Sequence, residues 1–398
     1  MSVQKVALKT IAAINPPTPS QILPCESEVA FVPMAAVSED GTMRVSEHKI
    51  ASEISNGFTY FRSNDILVAK ITPCFENNKI AEALIDRAHG FGSTEFHVIR
   101  PDTSRLNGRY LLHFLRQDRV RGEGVRKMTG SAGQRRVPRY FLEDLKVPLP
   151  PLSEQTRIAE NLDRVAILRR QRQIALFQSN EFSISLFISM FGDPVHNNLN
   201  WKSGTYLGDV ADIASGITKG RKINGHAVRT VPYLAVANVQ DRALNLSNVK
   251  TIEATEDEIN RYRLLANDLL LTEGGDPDKL GRGTLWQEEL PECIHQNHIF
   301  RVRVTSKEIH PLFLNWLVGS QRGKQYFLRS AKQTTGIASI NMTQLRNFPL
   351  LLPPRSLQDQ FAARVAEIDK LKALHRAHLA KLDELFASLQ YRAFRGEL

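Results

Sequence analysis

Two kinds of hydrophobic pattern alternate along the chain, and each change of pattern falls at a double proline. Before each double proline, short apolar runs bounded by turn residues predict strands. The clearest of these runs are Ile66–Ile71, Phe96–Ile99, Tyr233–Val239, Asp268–Thr272 and Ile299–Val304. Helical patterns accompany them near Tyr110–Asp118 and Pro311–Phe327. Each segment before a double proline is therefore predicted to be a mixed α+β globular domain.

After each double proline, the sequence predicts one long helix. Pro and Gly are absent from Leu152 to Phe191 and from Arg355 to Arg395. Apolar residues recur there in alternating steps of four and three, and this period of 3.5 is typical of a coiled coil. The predicted pairing positions are Ile158, Leu162, Val165, Leu176, Leu186, Phe361, Val365, Ile368, Leu379, Leu382, Phe386 and Leu389.

We expect the two helices to pair with each other as an antiparallel coiled coil that joins the two domains. Polar residues interrupt both apolar stripes at the same repeat positions, Arg169 and Arg172 in the first helix and Lys372 and His375 in the second. We interpret these residues as devices that fix the register of the pair rather than as ligands. The alternative is that each helix packs on its own globular domain as an ordinary amphipathic helix.

The two halves of the chain repeat each other at a shift of 203 residues. LPPLSEQTRI at Leu149–Ile158 returns as LPPRSLQDQF at Leu352–Phe361, and Asn64–Leu67 returns as Asn267–Leu270. A tandem duplication with pseudo-two-fold symmetry explains this repeat. The predicted boundaries are residues 1–147 for the first globular domain, 148–195 for the first helix, 196–350 for the second domain and 351–398 for the second helix.

The composition fits a folded protein with a polyanionic partner. Lys and Arg number 52 against 42 Asp and Glu, a net charge of +10, and hydrophobic residues make up 42%, which excludes a disordered chain. The cysteines Cys25, Cys74 and Cys293 are far apart, which excludes a disulfide framework and fits the cytoplasm. No run of 18 apolar residues occurs, and the N-terminus lacks a long apolar core. We therefore expect neither a membrane-spanning helix nor a secretory signal.

The sequence lacks the common catalytic and cofactor-binding motifs. It contains no G-x-G-x-x-G, G-x-x-x-x-G-K-[ST], H-E-x-x-H or G-x-S-x-G. Asn15-Pro16-Pro17 is similar to the loop that grips a flipped adenine in amino-methyltransferases, but Thr18 replaces the aromatic residue, so we interpret it as a turn. We expect no catalytic residue, no metal site and no cofactor held by this chain.

Basic residues gather in three loop regions. Eight cations face two acids between Arg116 and Arg139, four cations lie in Gly216–Arg229, and Gly274–Gly283 is Gly-rich with two cations and two acids. Arg can bind guanine edges and phosphates, and Asp can accept a hydrogen bond from cytosine. The alternative is a solvated charged face without a ligand. The predicted DNA-binding residues are Lys70, Lys79, Arg126, Lys127, Arg135, Arg136, Arg139, Lys219, Arg221, Lys222, Asp276, Lys279 and Arg282.

Taken together, these features resemble the specificity subunit of Type I restriction-modification systems. The sharpest element is the LPPLSEQTRI sequence at Leu149–Ile158 with its heptad helix. EGGDPDKLGRGTLW at Glu273–Trp286 looks like a recurring loop of the family's recognition domains, and Asn200-Trp201-Lys202 resembles the usual entry to such a domain. The first half departs from the pattern, because Val6-Ala7-Leu8 lacks the Trp and the Gly-Asp turn.

The resemblance implies two target recognition domains, each reading one half of a split sequence in double-stranded DNA. The helices would set the gap between the half-sites and bind two methyltransferase (modification) subunits, and motor and nuclease (restriction) subunits would complete the complex. S-adenosylmethionine, magnesium and ATP would then belong to those partners, and this chain would be a non-catalytic cytoplasmic subunit. Two alternatives stay open: a free-standing DNA-modifying enzyme, and a coiled-coil scaffold that binds only proteins.

Overall fold

A computed structural model describes residues 3–18, 26–45, 47–54, 57–131, 133–223, 227–275, 280–334 and 337–398. The chain divides into two compact units. Unit 1 contains residues 1–174 and 376–398, and unit 2 contains residues 175–375. Both long helices are shared between the units, so each unit holds the first part of one helix and the last part of the other.

The first half of the chain alternates short strands with short helices before its long helix begins. The strands are β1 (Lys5–Ala7), β2 (Ala12–Ile14), β3 (Glu28–Val32), β4 (Glu47–Ile50), β5 (Thr59–Arg62), β6 (Ile66–Ala69), β7 (Ile80–Glu82), β8 (His89–Gly92), β9 (Phe96–Pro101) and β10 (Lys146–Pro148). The helices are α1 (Ala51–Ile54), α2 (Gly108–Leu115), α3 (Asp118–Lys127), α4 (Arg139–Asp144) and α5 (Leu152–Phe191), with 3₁₀ turns at Leu8–Thr10 and Met34–Ala36.

The second half follows the same order. Its strands are β11 (Ala211–Ser215), β12 (Arg229–Leu234), β13 (Val239–Gln240), β14 (Ala243–Leu244), β15 (Lys250–Ala254), β16 (Leu269–Thr272), β17 (Gly274–Gly275), β18 (Gly283–Leu285), β19 (Ile294–His295), β20 (Ile299–Val304), β21 (Lys332–Thr334) and β22 (Ile337–Ser339). Its helices are α6 (Leu207–Val210), α7 (Glu256–Tyr262), α8 (Pro311–Val318), α9 (Gln321–Ser330), α10 (Met342–Arg346) and α11 (Arg355–Ala393), with a 3₁₀ turn at Val236–Asn238.

Two predicted elements differ from those in the structure. The run Tyr233–Val239 is a strand only as far as Leu234, because the Asn238 side chain accepts a hydrogen bond from Ala235 N (2.8 Å) and closes a 3₁₀ turn. The pattern over Pro311–Phe327 forms two helices rather than one: α8 ends at Val318 with Gly319 as its C-cap, and α9 starts at Gln321. The predicted α+β class is confirmed.

The sheet topology repeats in the two units. The antiparallel sheet β2-β9-β6-β7 of unit 1 has the same order as β11-β20-β16-β18 of unit 2. A second sheet, β4-β3-β8-β5 in unit 1 and β15-β12-β19 in unit 2, contains one parallel pair in each unit. The repeat detected in the sequence is therefore a repeat of strand order and direction.

A buried ion pair locks the first of these sheets in each unit. In unit 1 the Arg100 guanidinium donates to both carboxylate oxygens of Asp65 at 2.8 and 2.7 Å. In unit 2 Arg303 binds Asp268 in the same way at 2.7 and 2.7 Å. Both aspartates are fully buried and also accept a backbone N–H, which satisfies the charges that burial would otherwise make costly.

The glutamine of the repeated proline motif fastens each long helix to the domain before it. Gln155 accepts a hydrogen bond from Asn107 N (2.8 Å) and donates to the carbonyl oxygens of Arg105 (3.0 Å) and Pro150 (2.8 Å). Gln358 makes the same three bonds with His310 N, Glu308 O and Pro353 O at 2.8, 3.0 and 2.8 Å. Both glutamines are fully buried, and each satisfies three backbone groups at the junction between domain and helix.

The long helices pack against each other in an antiparallel direction within each unit. In unit 1 the start of α5 meets the end of α11, where Ile158 and Leu162 share a core with Ala393 and Phe394. In unit 2 the end of α5 meets the start of α11, where Phe187 lies 5.6 Å from Phe361 between ring centroids. The twelve predicted pairing residues are all buried or half-buried.

The polar positions of the stripes do not oppose their repeat equivalents. Arg169 binds Asp383 (2.6 Å) and lies over the Phe386 ring in unit 1. Lys372 donates to Ser183 (3.2 Å) in unit 2. The reason is geometric: in an antiparallel pair, equivalent positions of a repeat lie on opposite sides of the midpoint of the pair rather than side by side.

Among the described residues, one helix is long and apolar enough to cross a membrane by length and composition. An 18-residue window of α5 has a mean hydropathy of 1.2, and 17% of that window is buried. The sequence analysis expected no membrane-spanning helix because it looked for uninterrupted apolar runs. Isolated polar residues interrupt the apolar residues of α5 but lower its mean hydropathy only slightly. A single helix of this kind is weak evidence for a membrane span.

Candidate nucleic-acid interface

Four of the cations predicted in the first half lie on chain segments whose backbones meet at one end of β6. Lys70 follows this strand, and its backbone N–H donates to Glu95 O (2.9 Å) at the start of β9. On the other side of β6, Ala69 N donates to Lys79 O (3.0 Å). Thr72 N donates to Arg135 O (2.9 Å), and Val137 N to Lys70 O (2.8 Å). The structure therefore brings together Lys70, Lys79, Arg135 and Arg136, which we call the β6-end cluster.

Arg136 is held by a carboxylate within this cluster. Glu95 accepts from Arg136 Nε at 3.0 Å and from Nη2 at 2.8 Å. The hydrogen bond with Arg136 lowers the pKa of the Glu95 carboxyl, and the same bond raises the pKa of Arg136. The Arg136 side chain remains 41% exposed, so the pair is accessible from solvent.

Two further members of the cluster, Arg135 and Lys79, form hydrogen bonds with backbone oxygens, and the remaining first-half candidates lie on α3 and α4. Arg135 donates to Val125 O (2.8 Å) near the end of α3. Arg139 forms an exposed pair with Glu143 (2.7 Å) along α4. Arg126 and Lys127 lie exposed in the last turn of α3. Lys79 donates to Met34 O at 3.3 Å and is half-buried.

In unit 2 the loop after β11 presents two exposed cations and one engaged cation. Lys219 lies 5.5 Å from the Tyr233 ring centroid, and Lys222 is exposed. Arg221 binds the Glu258 carboxylate, which also accepts from Thr255 N in the capping box of α7. This pairing lowers the pKa of Glu258 to about 2. Arg221 therefore holds the loop against α7.

The Gly-rich loop is described only at its ends. Asp276 and Lys279 lie outside the described residues. Arg282 donates to the Gln240 side chain (3.2 Å) and its backbone oxygen accepts from Thr272 N (3.0 Å). Its Nε is buried without a partner among the described residues. Arg282 and the cations after β11 thus contact different elements of unit 2.

Two residues that organise the β6-end cluster were missed by the sequence analysis. Glu95 stands directly before the apolar run Phe96–Ile99. It was not predicted because the candidate residues were chosen for positive charge. Arg116 was counted only as part of a basic region, yet it donates to the carbonyl oxygens of Asn78 (3.0 Å), Ile80 (2.8 Å) and Glu39 (2.7 Å). Burial lowers the pKa of Arg116 to about 10, which marks it as a structural tie rather than a surface charge.

No group of three or more His, Cys, Asp or Glu residues is arranged to hold a metal ion within the part of the chain that the structure describes. Two isolated acids of the sequence illustrate this. Asp102 accepts from Ser104 within its own turn, and Asp144 pairs with Lys9 (2.9 Å). What the site offers is a set of guanidinium and ammonium donors, which suit phosphates and base edges.

Comparison with known proteins identifies the family. A family model described as the Type I restriction modification DNA specificity domain matches residues 2–176 and 198–384. The two matched segments cover most of the chain and correspond to the two halves of the repeat. The chain therefore belongs to this family.

Individual relatives share parts of the chain. The specificity subunit of the Type I restriction enzyme EcoEI from Escherichia coli is 41% identical over 166 residues, 41% of this chain and 27% of that protein. The StySPI specificity subunit from Salmonella potsdam is 24% identical over 321 residues, 76% of this chain and 67% of that protein. The match thus spans about a quarter of the first relative's length and two thirds of the second's.

A solved structure shares the fold over the full length of the chain. It comes from work on the complex assembly and conformational transition of the type I R-M system, and it covers 100% of this chain and 98% of its own. The TM-score is 0.57 at 18% sequence identity. At that level of identity, the likeness shows a common fold.

Proposed function

We propose that this chain is the DNA specificity subunit of a Type I restriction-modification complex. Residues 1–147 and 196–350 are the two target recognition domains in this proposal, and each reads one half of a bipartite double-stranded DNA sequence. The observation that carries the proposal is the β6-end cluster, in which three chain segments that carry four cations meet at one end of a sheet whose topology is duplicated in unit 2.

Charge and chemistry support DNA as the ligand of the recognition domains. The chain carries a net charge of +10, and cations that neutralise phosphates release counterions on binding. Arginine presents a planar fork that matches the guanine edge, whereas exposed lysines suit phosphates.

The long helices are proposed to be both spacer and docking surface. Residues 148–195 and 351–398 would set the gap between the half-sites. Apolar side chains on α5 are exposed in both units, and a long exposed apolar row of this kind marks a protein contact. They are Ile167, Leu168 and Ile174 in unit 1 and Phe177, Phe182, Ile184 and Ile188 in unit 2. We assign them to two modification subunits.

Catalysis is assigned to the partner subunits. Modification subunits would supply S-adenosylmethionine chemistry, and restriction subunits would supply ATP-driven translocation and cleavage. This chain would contribute sequence recognition alone and would work beside DNA in the cytoplasm.

The direct test is methylome sequencing of cells that express this chain together with its modification subunit. We expect adenine methylation at a sequence with two specific halves and an unspecified gap, and no methylation when either protein is expressed alone. Methyl transfer by the isolated chain would instead favour a free-standing enzyme, and a complex that binds DNA without salt dependence would contradict the role of the cations.

The spacer role has a separate test. Adding one heptad to each helix, after Arg172 and after His375, preserves the apolar stripe and adds about 10.5 Å of helix at ~1.5 Å per residue. Since DNA rises about 3.4 Å per base pair, the gap between half-sites should grow by roughly three base pairs, with both half-sites unchanged. Efficient methylation at the original gap would exclude the helices as the ruler.

A further inference from the structure

We infer that Glu95 is a positioning residue for sequence recognition: it holds Arg136 so that this arginine reads a guanine in the half-site of the first domain. The inference rests on the proposed function and specifies one reading pair within it. It is based on the geometry of the two side chains and on the guanidinium N–H donors of Arg136 that their contact does not use.

Backbone hydrogen bonds hold both Glu95 and Arg136 in place, independently of the contact between their side chains. Lys70 N donates to Glu95 O (2.9 Å), which extends the pairing of β6 with β9 to the residue that carries the carboxylate. Arg136 and Thr129 exchange backbone hydrogen bonds of 2.8 and 3.0 Å. A guanidinium on such a frame loses less freedom on binding than one on an open loop.

The hydrogen bonds leave two N–H groups of the guanidinium without a partner among the described residues. A guanidinium has five N–H donors. Glu95 accepts from Nε and from one N–H of Nη2, and Gln134 O accepts from Nη1 at 3.3 Å. One N–H on each terminal nitrogen remains, and two such donors match the O6 and N7 acceptors of guanine.

The neighbouring arginine has a different role. The Arg135 guanidinium donates a hydrogen bond to Val125 O, a backbone carbonyl near the end of α3. Arg135 therefore stabilises the loop, whereas the Glu95 carboxylate orients Arg136. Lys70 also acts on Glu95 electrostatically and lies beside the pair, where it can meet a phosphate.

The test uses the chain in complex with its modification subunit. A duplex carrying the sequence methylated by the parent complex serves as the probe, together with duplexes that change each base pair of the first half-site in turn. The variants are Glu95→Gln, which keeps the shape and removes the charge, Arg136→Ala, and Arg136→Lys, which keeps the charge and removes the fork. Arg87→Ala, which removes exposed ion pairs with Glu28 (3.0 Å) and Asp86 (3.2 Å) and lies outside the predicted DNA-binding residues, is the matched control.

We expect Glu95→Gln and Arg136→Lys to reduce discrimination at one G·C pair by roughly 5- to 150-fold, the range for a lost bidentate base contact. All other positions and the whole second half-site should keep their preferences. The double variant Glu95→Gln with Arg136→Ala should discriminate no worse at that pair than Arg136→Ala alone, because Glu95 acts only through Arg136. The Arg87→Ala complex should discriminate as the parent does.

Three results would overturn the inference. One is a Glu95→Gln complex with the parent's discrimination at every position. Another is an equal loss at all positions of the first half-site with a lowered thermal midpoint, which indicates a purely structural latch. The third is full discrimination in Arg136→Lys, which retains the ion pair and so tests the fork independently of folding. If the parent complex itself methylates no specific sequence, the proposed function fails instead.

Discussion

At both junctions between a globular domain and the long helix that follows it, a glutamine makes the same hydrogen bonds, but the surrounding contacts differ. Gln155 and Gln358 make identical sets of hydrogen bonds. Around Gln155 lies an ionic cluster, in which Asp163 binds Arg109 and His113, and Arg109 also binds Glu82 (3.3 Å). At the matching positions, 203 residues later, stand Ala366, Leu312, Trp316 and Leu285.

The chemistry of unit 2 at these positions is apolar. Trp316 stacks on Phe187 at 5.8 Å and meets Phe361 edge-on at 5.4 Å between ring centroids. Leu285 belongs to the same core, and Leu312 packs against it. Both junctions therefore share the hydrogen bonds between the glutamine and the backbone. The side chains packed around those bonds can be either ionic, as in unit 1, or apolar, as in unit 2. The two junctions should consequently respond differently to substitution, salt and pH.

The largest expected effect is in the apolar junction. Phe361→Ala should destabilise unit 2 by about 3–5 kcal/mol, because it leaves a cavity among Phe187, Phe191 and Trp316. Ile158→Ala, at the matching position of unit 1, should cost less, about 2–4 kcal/mol. Urea unfolding followed by segment-resolved hydrogen exchange measures both. An equal or larger loss in Ile158→Ala would contradict the difference between the junctions.

The shared glutamine should matter almost as much, and equally in both units. Gln155→Ala removes the partner of one backbone N–H and two backbone carbonyl groups at a partly buried junction, and we expect a loss of about 3 kcal/mol. Gln358→Ala should cost the same within about 1 kcal/mol, since the three bonds are the same. Thermal or urea unfolding of the two variants decides this, and a strong asymmetry would show that the glutamines are not equivalent.

The ionic cluster should give an intermediate effect. Asp163→Ala removes the carboxylate that pairs with Arg109 and His113, and we expect unit 1 to lose about 2 kcal/mol, because Asp163 is partly exposed and its charges are screened. Ala366→Asp is the matched control: this position of α11 is exposed, so its substitution should change stability by less than about 0.5 kcal/mol. The same unfolding measurement applies, and the Asp163→Ala loss should shrink at high salt.

The smallest effect should be the pH response of the ionic junction. Burial lowers the pKa of His113 below its ordinary value, despite the hydrogen bond with Asp163. Neutral His113 therefore contributes stability that is fully present above pH 6.5, and this contribution is lost as the pH falls from 6.5 toward the lowered folded-state pKa. His113→Phe should make the stability of unit 1 less dependent on pH between 7 and 5. An unchanged profile would show that His113 stays neutral or is paired in both states.

The sequence predicted the features that depend on local pattern or on repetition. The heptad stripes located both long helices, and the shift of 203 residues paired Gln155 with Gln358 before their hydrogen bonds were known. Contacts between segments that are distant in the sequence could not be predicted from it. The clamp between Glu95 and Arg136 joins residues 41 positions apart, and only the fold shows that the two meet. Sequence spacing likewise could not place Lys372 opposite Ser183, because that contact follows from the antiparallel packing within unit 2.

The central claim, that each domain reads its own half-site, is tested most directly by methylome sequencing of two matched variants. Lys79 and Arg282 occupy equivalent positions, 203 residues apart, directly before β7 and β18. In cells that also express the modification subunit, we expect Lys79→Ala to relax or weaken one half of the methylated sequence and Arg282→Ala the other, with the gap unchanged. A single variant that alters both halves, or a parent motif that is continuous rather than bipartite, would contradict the account.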